Sequence, residues 1–182
     1  HVVSYADDLV ILSRRRAAEA LAWTRGVMAQ LGLTINEAKT SVKDARHERF
    51  DFLGYTFGPH HGSRGGRVCP GASPSRKSIG RVKEKVSDIL VARNPGTWDE
   101  VRDQLNSVLR GWRGYFGYGW RLKAYREVDR HVTERVRGFL TRRHKVRGPG
   151  YKEFPDKRIH GELGVLRLIR KGDASRSSWA VS

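Results

Sequence analysis

The stretch His1-Val2-Val3-Ser4-Tyr5-Ala6-Asp7-Asp8-Leu9-Val10-Ile11-Leu12-Ser13 sets two short runs rich in Val, Ile and Leu on either side of two adjacent carboxylates. Runs of this length and composition read as strands, so the segment is predicted to be a β-hairpin with Asp7 and Asp8 at its tip. Tight hairpin turns favour Gly or Asn, and neither stands here, so the backbone alone does not explain the acidic pair. Adjacent like charges repel. A divalent cation removes that cost, because Mg²⁺ takes hard oxygen ligands and inverts the local charge balance. A solvated turn is the commoner use of two aspartates, and the pair by itself favours that reading.

With Tyr5 two residues ahead of Asp7 and strands on both sides, the stretch resembles the Tyr-x-Asp-Asp hairpin of reverse transcriptases. The sequence opens inside what reads as a strand, and one hairpin does not make a sheet. The expectation is therefore a fragment of a longer parent whose upstream strands are absent.

The chain has 182 residues, enough for one moderate core or two small ones, and carries a formal net charge of +17 with a pI near 10.8. The charge is unevenly placed: residues 1–58 hold 8 Lys and Arg against 7 Asp and Glu, whereas 59–182 hold 28 against 12. A generally basic surface would spread evenly, so the asymmetry points to a polyanionic partner for the second part. Cys69 is the single cysteine, which excludes a disulfide framework and a Cys-x-x-Cys zinc site. No apolar run approaches bilayer length and no signal-like segment opens the chain, so the expected setting is the cytoplasm, without membrane contact.

After the hairpin, Ser13 is read as the N-cap of a helix from Arg14 to Leu31 that stops at Gly32, with Ala18, Leu21, Met28 and Leu31 near one face. The following Leu31-Gly32-Leu33, Asn36 and Lys39-Thr40 resemble the segment behind the hairpin in reverse transcriptases of the group II intron type. That resemblance implies that Lys39 reaches the phosphates of an incoming nucleotide and assists the leaving pyrophosphate. Phe50 to Gly58 alternates as a strand does, and its Phe52-Leu53-Gly54-Tyr55 core is similar to the primer-grip segment of the same family. Gly54 would let a nucleic-acid backbone approach, with Phe52 or Tyr55 packing on sugar or base. The Gly-, His-, Pro- and Ser-rich residues 59–75 read as a linker.

Three amphipathic helices are predicted next. The first, Arg76 to Arg93, carries Ile79, Val82, Val86, Ile89 and Leu90. The second, Trp98 to Phe116, has a capping box between Thr97 and Glu100. The third, about Leu122 to His144, carries Tyr125, Val128, Val132, Val136, Phe139 and Leu140. Their stripes form a bundle core, and the opposite faces are basic with interleaved aromatics. Arg110, Arg113, Tyr115, Lys123, Arg126, Arg130, Arg137, Arg142 and Arg143 are the candidates for RNA contact, since Arg pairs phosphate bidentately and stacks on unpaired bases. The run Gly111-Trp112-Arg113-Gly114-Tyr115-Phe116 resembles the Gly-Trp-x-x-Tyr-Phe signature of the maturase domain that forms the thumb. Arg158 to Val165 resembles its closing segment.

The resemblance implies an α+β chain: the C-terminal part of a reverse-transcriptase palm over 1–58, a linker, and a helical thumb and maturase domain over 76–170; the Ser-rich residues 171–182 read as a disordered tail. It implies that a bacterial parent copies an RNA template onto a DNA primer from deoxynucleoside triphosphates and assists splicing of its group II intron RNA. In such an enzyme two Mg²⁺ ions are held by Asp7, Asp8 and a third, upstream aspartate that this sequence lacks, and Tyr5 contacts primer and template with Phe52, Leu53, Gly54 and Tyr55. The fragment is thus expected to bind RNA but not to polymerise. An RNA-binding splicing cofactor without catalysis, and a retron, diversity-generating or CRISPR-linked reverse transcriptase, are the alternatives.

Overall fold

The predicted hairpin is present: β1 (Val2–Tyr5) pairs antiparallel with β2 (Asp8–Ile11), Val2 opposite Ile11 and Tyr5 opposite Asp8. The computed structural model describes residues 1–61, 68–170 and 172–173. These combine small antiparallel sheets with several helices, and they divide into two units, 1–53 with 57–70 and 54–56 with 71–182. Of the predicted tail only Gly172 and Asp173 are described, and the rest lies outside the described residues.

In the first unit the hairpin is followed by α1 (Ala17–Gln30). The helix starts later than Ser13 suggested, because Arg15 sits in the left-handed region at φ 66° and Arg16, which makes no side-chain capping bond, takes the N-cap. Its end follows the sequence. Gly32 at φ 68° lets its own N–H donate to the Ala29 carbonyl (3.1 Å) and the Leu33 N–H donate to that of Met28 (2.8 Å), a Schellman closure. Ala17, Leu21, Thr24 and Met28 form the covered face, while Ala18 and Leu31 are exposed.

The strand predicted over Phe50 to Gly58 is two strands, β3 (Phe50–Phe52) and β4 (Tyr55–His61), and β5 (Val68–Pro74) completes the sheet in the order β3-β4-β5. Leu53 and Gly54 reverse the chain with φ of 48° and 78°, the double positive φ of a tight hairpin turn. Part of the predicted linker is therefore strand. Pro70 and Pro74 fit a strand here because β5 lies at the edge of the sheet, where a residue without an N–H is tolerated.

The second unit holds the apolar core. Helices α2 (Arg76–Ile89), α3 (Trp98–Tyr115) and α4 (Leu122–Arg143) are the three predicted, and a short α5 (Asp156–His160) follows. Their stripes meet as expected: Val86, Leu105, Leu109, Val128 and Val132 are fully buried, with α2 packed on α3 and α4, and α4 also on α5. Ser75 caps α2 by accepting from the Ser78 N–H, and Thr97 and Glu100 form the capping box of α3. Residues 163–169 have no regular structure and are fixed by side chains. Asn106 donates to the Gly164 carbonyl (2.9 Å) and accepts from the Leu166 N–H (2.8 Å), while the Asp129 carboxylate accepts from Leu168 and Ile169. No described helix is long and apolar enough to cross a membrane.

Candidate nucleic-acid interface

Asp7 lies in the two-residue reversal Ala6-Asp7 and Asp8 opens β2, both exposed, with Tyr5 exposed directly across from Asp8. Ala6 takes φ 48°, a left-handed conformation that costs a residue with a Cβ about 1 kcal/mol. Hairpin geometry is thus met without the Gly or Asn it favours. The two carboxylates offer oxygens of the kind Mg²⁺ takes. Among the described residues no group of three or more His, Cys, Asp or Glu comes together to hold a metal. Lys39 is exposed in a separate turn, its N–H donating to the Asn36 carbonyl at 3.0 Å.

The Phe52-Leu53-Gly54-Tyr55 segment is half-buried. Gly54 and Tyr55 belong to the helical unit, for reasons visible in their contacts. The Gly54 carbonyl accepts from the Ser75 N–H and the Ser78 hydroxyl, both at 2.9 Å, and a Cβ on Gly54 would lie 2.9 Å from the Ser78 oxygen and 3.2 Å from the Phe116 ring. The space that Gly54 was expected to leave for nucleic acid is filled by the protein itself. Tyr55 donates its hydroxyl to the Tyr115 carbonyl (2.7 Å), its ring 4.9 Å from that of Phe116, and burial pushes its phenol pKa up. Trp112 packs on Phe116 (4.9 Å) and Tyr125 (5.8 Å), and the buried Tyr125 hydroxyl donates to the Phe116 carbonyl at 2.9 Å, satisfying an orphan acceptor at the end of α3. The Trp112 to Phe116 signature thus joins the end of α3 to the start of α4.

The basic set divides. Arg110, Lys123, Arg126, Arg130, Arg142 and Arg143 are exposed, Arg143 also donating to the Gly96 carbonyl, and Tyr115 is 54% exposed. Two others face inward. Arg113 pairs with Asp173 (3.3 Å), which Arg121 also approaches (3.6 Å), and Arg113 lies over the Tyr125 ring. Arg137 is only 6% exposed, donates to the Phe154 carbonyl (3.0 Å) and pairs with Asp156. A buried cation needs such partners, so both are structural cations rather than groups poised for RNA.

A cleft of about 390 Å³ runs between the outer face of α4 and the segment beyond it, lined among others by Arg126, Arg130, Glu134, Tyr151, His160 and Arg167. Of these, Glu134, Tyr151, His160 and Arg167 carry no mark of a site in the sequence. Tyr151 sits in a Gly- and Pro-rich stretch where hydrophobic periodicity carries no signal.

Residues 79–155 match the family model described as the group II intron, maturase-specific domain. That stretch is similar to a maturase-specific domain. It takes in most of α2, all of α3 and α4 and the loop to Pro155, and it indicates a maturase-related function in intron splicing. No curated protein matches the chain. The exposed cations of α3 and α4, and Tyr151, fall inside the maturase-specific domain, whereas Asp7, Asp8, Lys39 and Phe52 to Tyr55 lie ahead of it.

Two histidines make the fold around the maturase-specific domain sensitive to acid. His131 on α4 contacts the Lys83 carbonyl and the Ser87 hydroxyl of α2, both at 3.2 Å. His160 donates from Nδ1 to the Val165 carbonyl and meets the Thr133 hydroxyl through Nε2, both at 2.9 Å. Burial lowers both pKa values below 6.5, with the nearby cations Lys83 and Arg135 for His131 and Arg167 for His160 acting in the same sense, while Glu134 faces the first, and Asp129 and Asp156 the second, with opposite effect. A lowered histidine pKa means that the unfolded chain binds more protons, so the stability from neutral His131 and His160 is complete above pH 6.5 and is lost as pH falls below it. Asp129, its pKa raised by burial, works in the opposite sense from 3.8 upward. Urea unfolding between pH 7.5 and 5.5 isolates the imidazole: His160→Gln is expected to lose less stability over that interval than the wild type, and equal losses would contradict the assignment.

Proposed function

We propose that the chain is the C-terminal part of a group II intron reverse transcriptase and maturase, in which 1–58 completes a palm and 76–170 grips intron RNA. The observation that carries this reading is the coincidence of the maturase-specific domain with exposed Arg110, Lys123, Arg126, Arg130, Arg142 and Arg143 on its helices. Arginine outside a core that needs no charge suits a phosphate backbone. In a complete enzyme Asp7 and Asp8 would share Mg²⁺ with a third carboxylate, against a template, a primer and deoxynucleoside triphosphates. This chain alone does not polymerise, because a metal pair needs more ligands than two adjacent aspartates supply. A splicing cofactor without catalysis is the second reading, favoured by the same lack of a third ligand among the described residues.

Binding to a structured group II intron RNA tests the proposal. Arg110→Glu combined with Arg142→Glu is expected to weaken it at least about tenfold with an unchanged unfolding midpoint, since both side chains are exposed and charge reversal at a phosphate contact is repulsive. An unchanged affinity would remove the basic faces from the interface. Primer extension with the same chain is expected to give no incorporated deoxynucleotide, and robust extension would overturn the claim that it cannot polymerise alone.

A further inference from the structure

The cleft beside α4 has a construction that a general phosphate-binding face does not require. Tyr151 is 62% exposed, yet the Arg137 guanidinium lies 4.5 Å from its ring centroid. Arg137 is held in turn by the Phe154 carbonyl and Asp156, so a buried, fixed cation supports an aromatic ring that still offers surface to solvent. A ring supported in this way is a stacking platform, and every nucleobase has a face that fits one.

Charge in the cleft is mixed. Arg126 and Arg130, one helical turn apart on α4, form no ion pair and no side-chain hydrogen bond among the described residues, and Arg167 approaches Asp156 only at 3.9 Å. Glu134, Asp129 and Asp156 line the same cleft, with the Thr133 hydroxyl and the His160 ring. A bare anion would meet Glu134 there beside the already engaged Asp129 and Asp156, and a duplex keeps its base faces stacked away from any platform. A nucleotide with its base unpaired separates the two demands: its phosphate meets arginines, and its neutral base carries donors that carboxylates accept. From Arg126 to Arg137 the helix rises about 16 Å, longer than a single base needs. The cleft thus has Arg126 and Arg130 toward one end and Arg137 with Tyr151 toward the other.

We propose that this cleft is a seat for one unpaired nucleotide of a single-stranded RNA segment, its base stacked on Tyr151 and the adjoining phosphates held by Arg126 and Arg130. The assignment rests on the RNA-binding reading and narrows it to a substrate class, an unstacked base. It gives the maturase-specific domain a way to distinguish a loop or bulge from a helix, which contact with phosphates alone does not provide.

The test uses the full chain, a short oligoribonucleotide carrying one 2-aminopurine, and the same strand fully paired. The single strand is expected to bind with quenching of the 2-aminopurine. Tyr151→Leu is expected to abolish the quench and weaken single-strand binding about fivefold to a hundredfold, the range for loss of one stacked base. Tyr151→Phe is expected to restore both, and duplex affinity is expected to stay the same in all three proteins, which separates a lost platform from a lost fold. An unchanged quench in Tyr151→Leu, preference of the wild type for the duplex, or displacement of the single strand by an oligo-glutamate peptide at equal concentration would overturn the seat. If structured intron RNA still binds, the wider reading survives that result; if no RNA binds at all, both fall.

Discussion

Raising the salt concentration from 50 to 200 mM is expected to weaken RNA binding by the full chain roughly 10²- to 10³-fold. The figure follows from which cations are available. Arg113 and Arg121 share Asp173, Arg137 is paired with Asp156, and Arg102 is bound to Asp99 and Asp103, so these guanidinium groups already have their counter-ions. The exposed cations of α3 and α4 remain, and contact with about five phosphates would release about five condensed counter-ions. Each contributes about 0.7 to 0.9 to the slope of log affinity against log salt, and a fourfold change in salt then gives the expected loss. Lys123→Gln together with Arg142→Gln is expected to lower that slope by about two while weakening binding to all RNA sequences alike. Arg113→Gln is expected to lower stability instead, because it leaves the 8% exposed Asp173 short of a partner. A slope near zero in the wild type, or a slope untouched by the double substitution, would contradict a phosphate-gripping face.

What could be read from the sequence follows from how long each signal runs. Helices α2, α3 and α4 hold a 3.6-residue stripe over 14, 18 and 22 residues, long enough for the period to decide, and Thr97 and Glu100 mark the start of α3 by chemistry that needs no tertiary information. The β1–β2 hairpin was legible from composition. The break between β3 and β4 was not, because Leu53 takes a turn conformation that leucine seldom adopts, and the five residues of α5 are too few to show a period. For the site, the sequence shows how many arginines there are but not which way they face. Arg137 and Arg142 look alike in a basic run, yet one meets a carboxylate 19 residues further along and the other is exposed. The Gly54 environment failed for a similar reason: a small residue signals a close approach, and only the fold shows that the approaching groups are Ser78 and Phe116.

Leu109→Ala is expected to cost about 2–5 kcal/mol of stability. Leu109 lies at the centre of α3, 0% exposed, in the cluster that Val86, Leu105, Val128 and Val132 also form. Truncation removes buried methyl groups and leaves a cavity that a close-packed interior closes only partly. Leu12→Ala in the first unit removes the same atoms from a side chain that is 52% exposed, so its effect is expected to stay within about 0.5 kcal/mol. Urea titration followed by helical circular dichroism compares them directly, since α2 to α4 supply most of the helix. A loss of this size is a large part of the 5–15 kcal/mol that typically holds a domain together. RNA binding by Leu109→Ala should therefore fall only as the folded fraction falls, with its salt slope kept, because the exposed arginines are untouched. If Leu109→Ala and Leu12→Ala unfold at the same urea concentration, the bundle does not carry the stability of the chain. The basic faces would then lack the rigid core on which their arrangement depends.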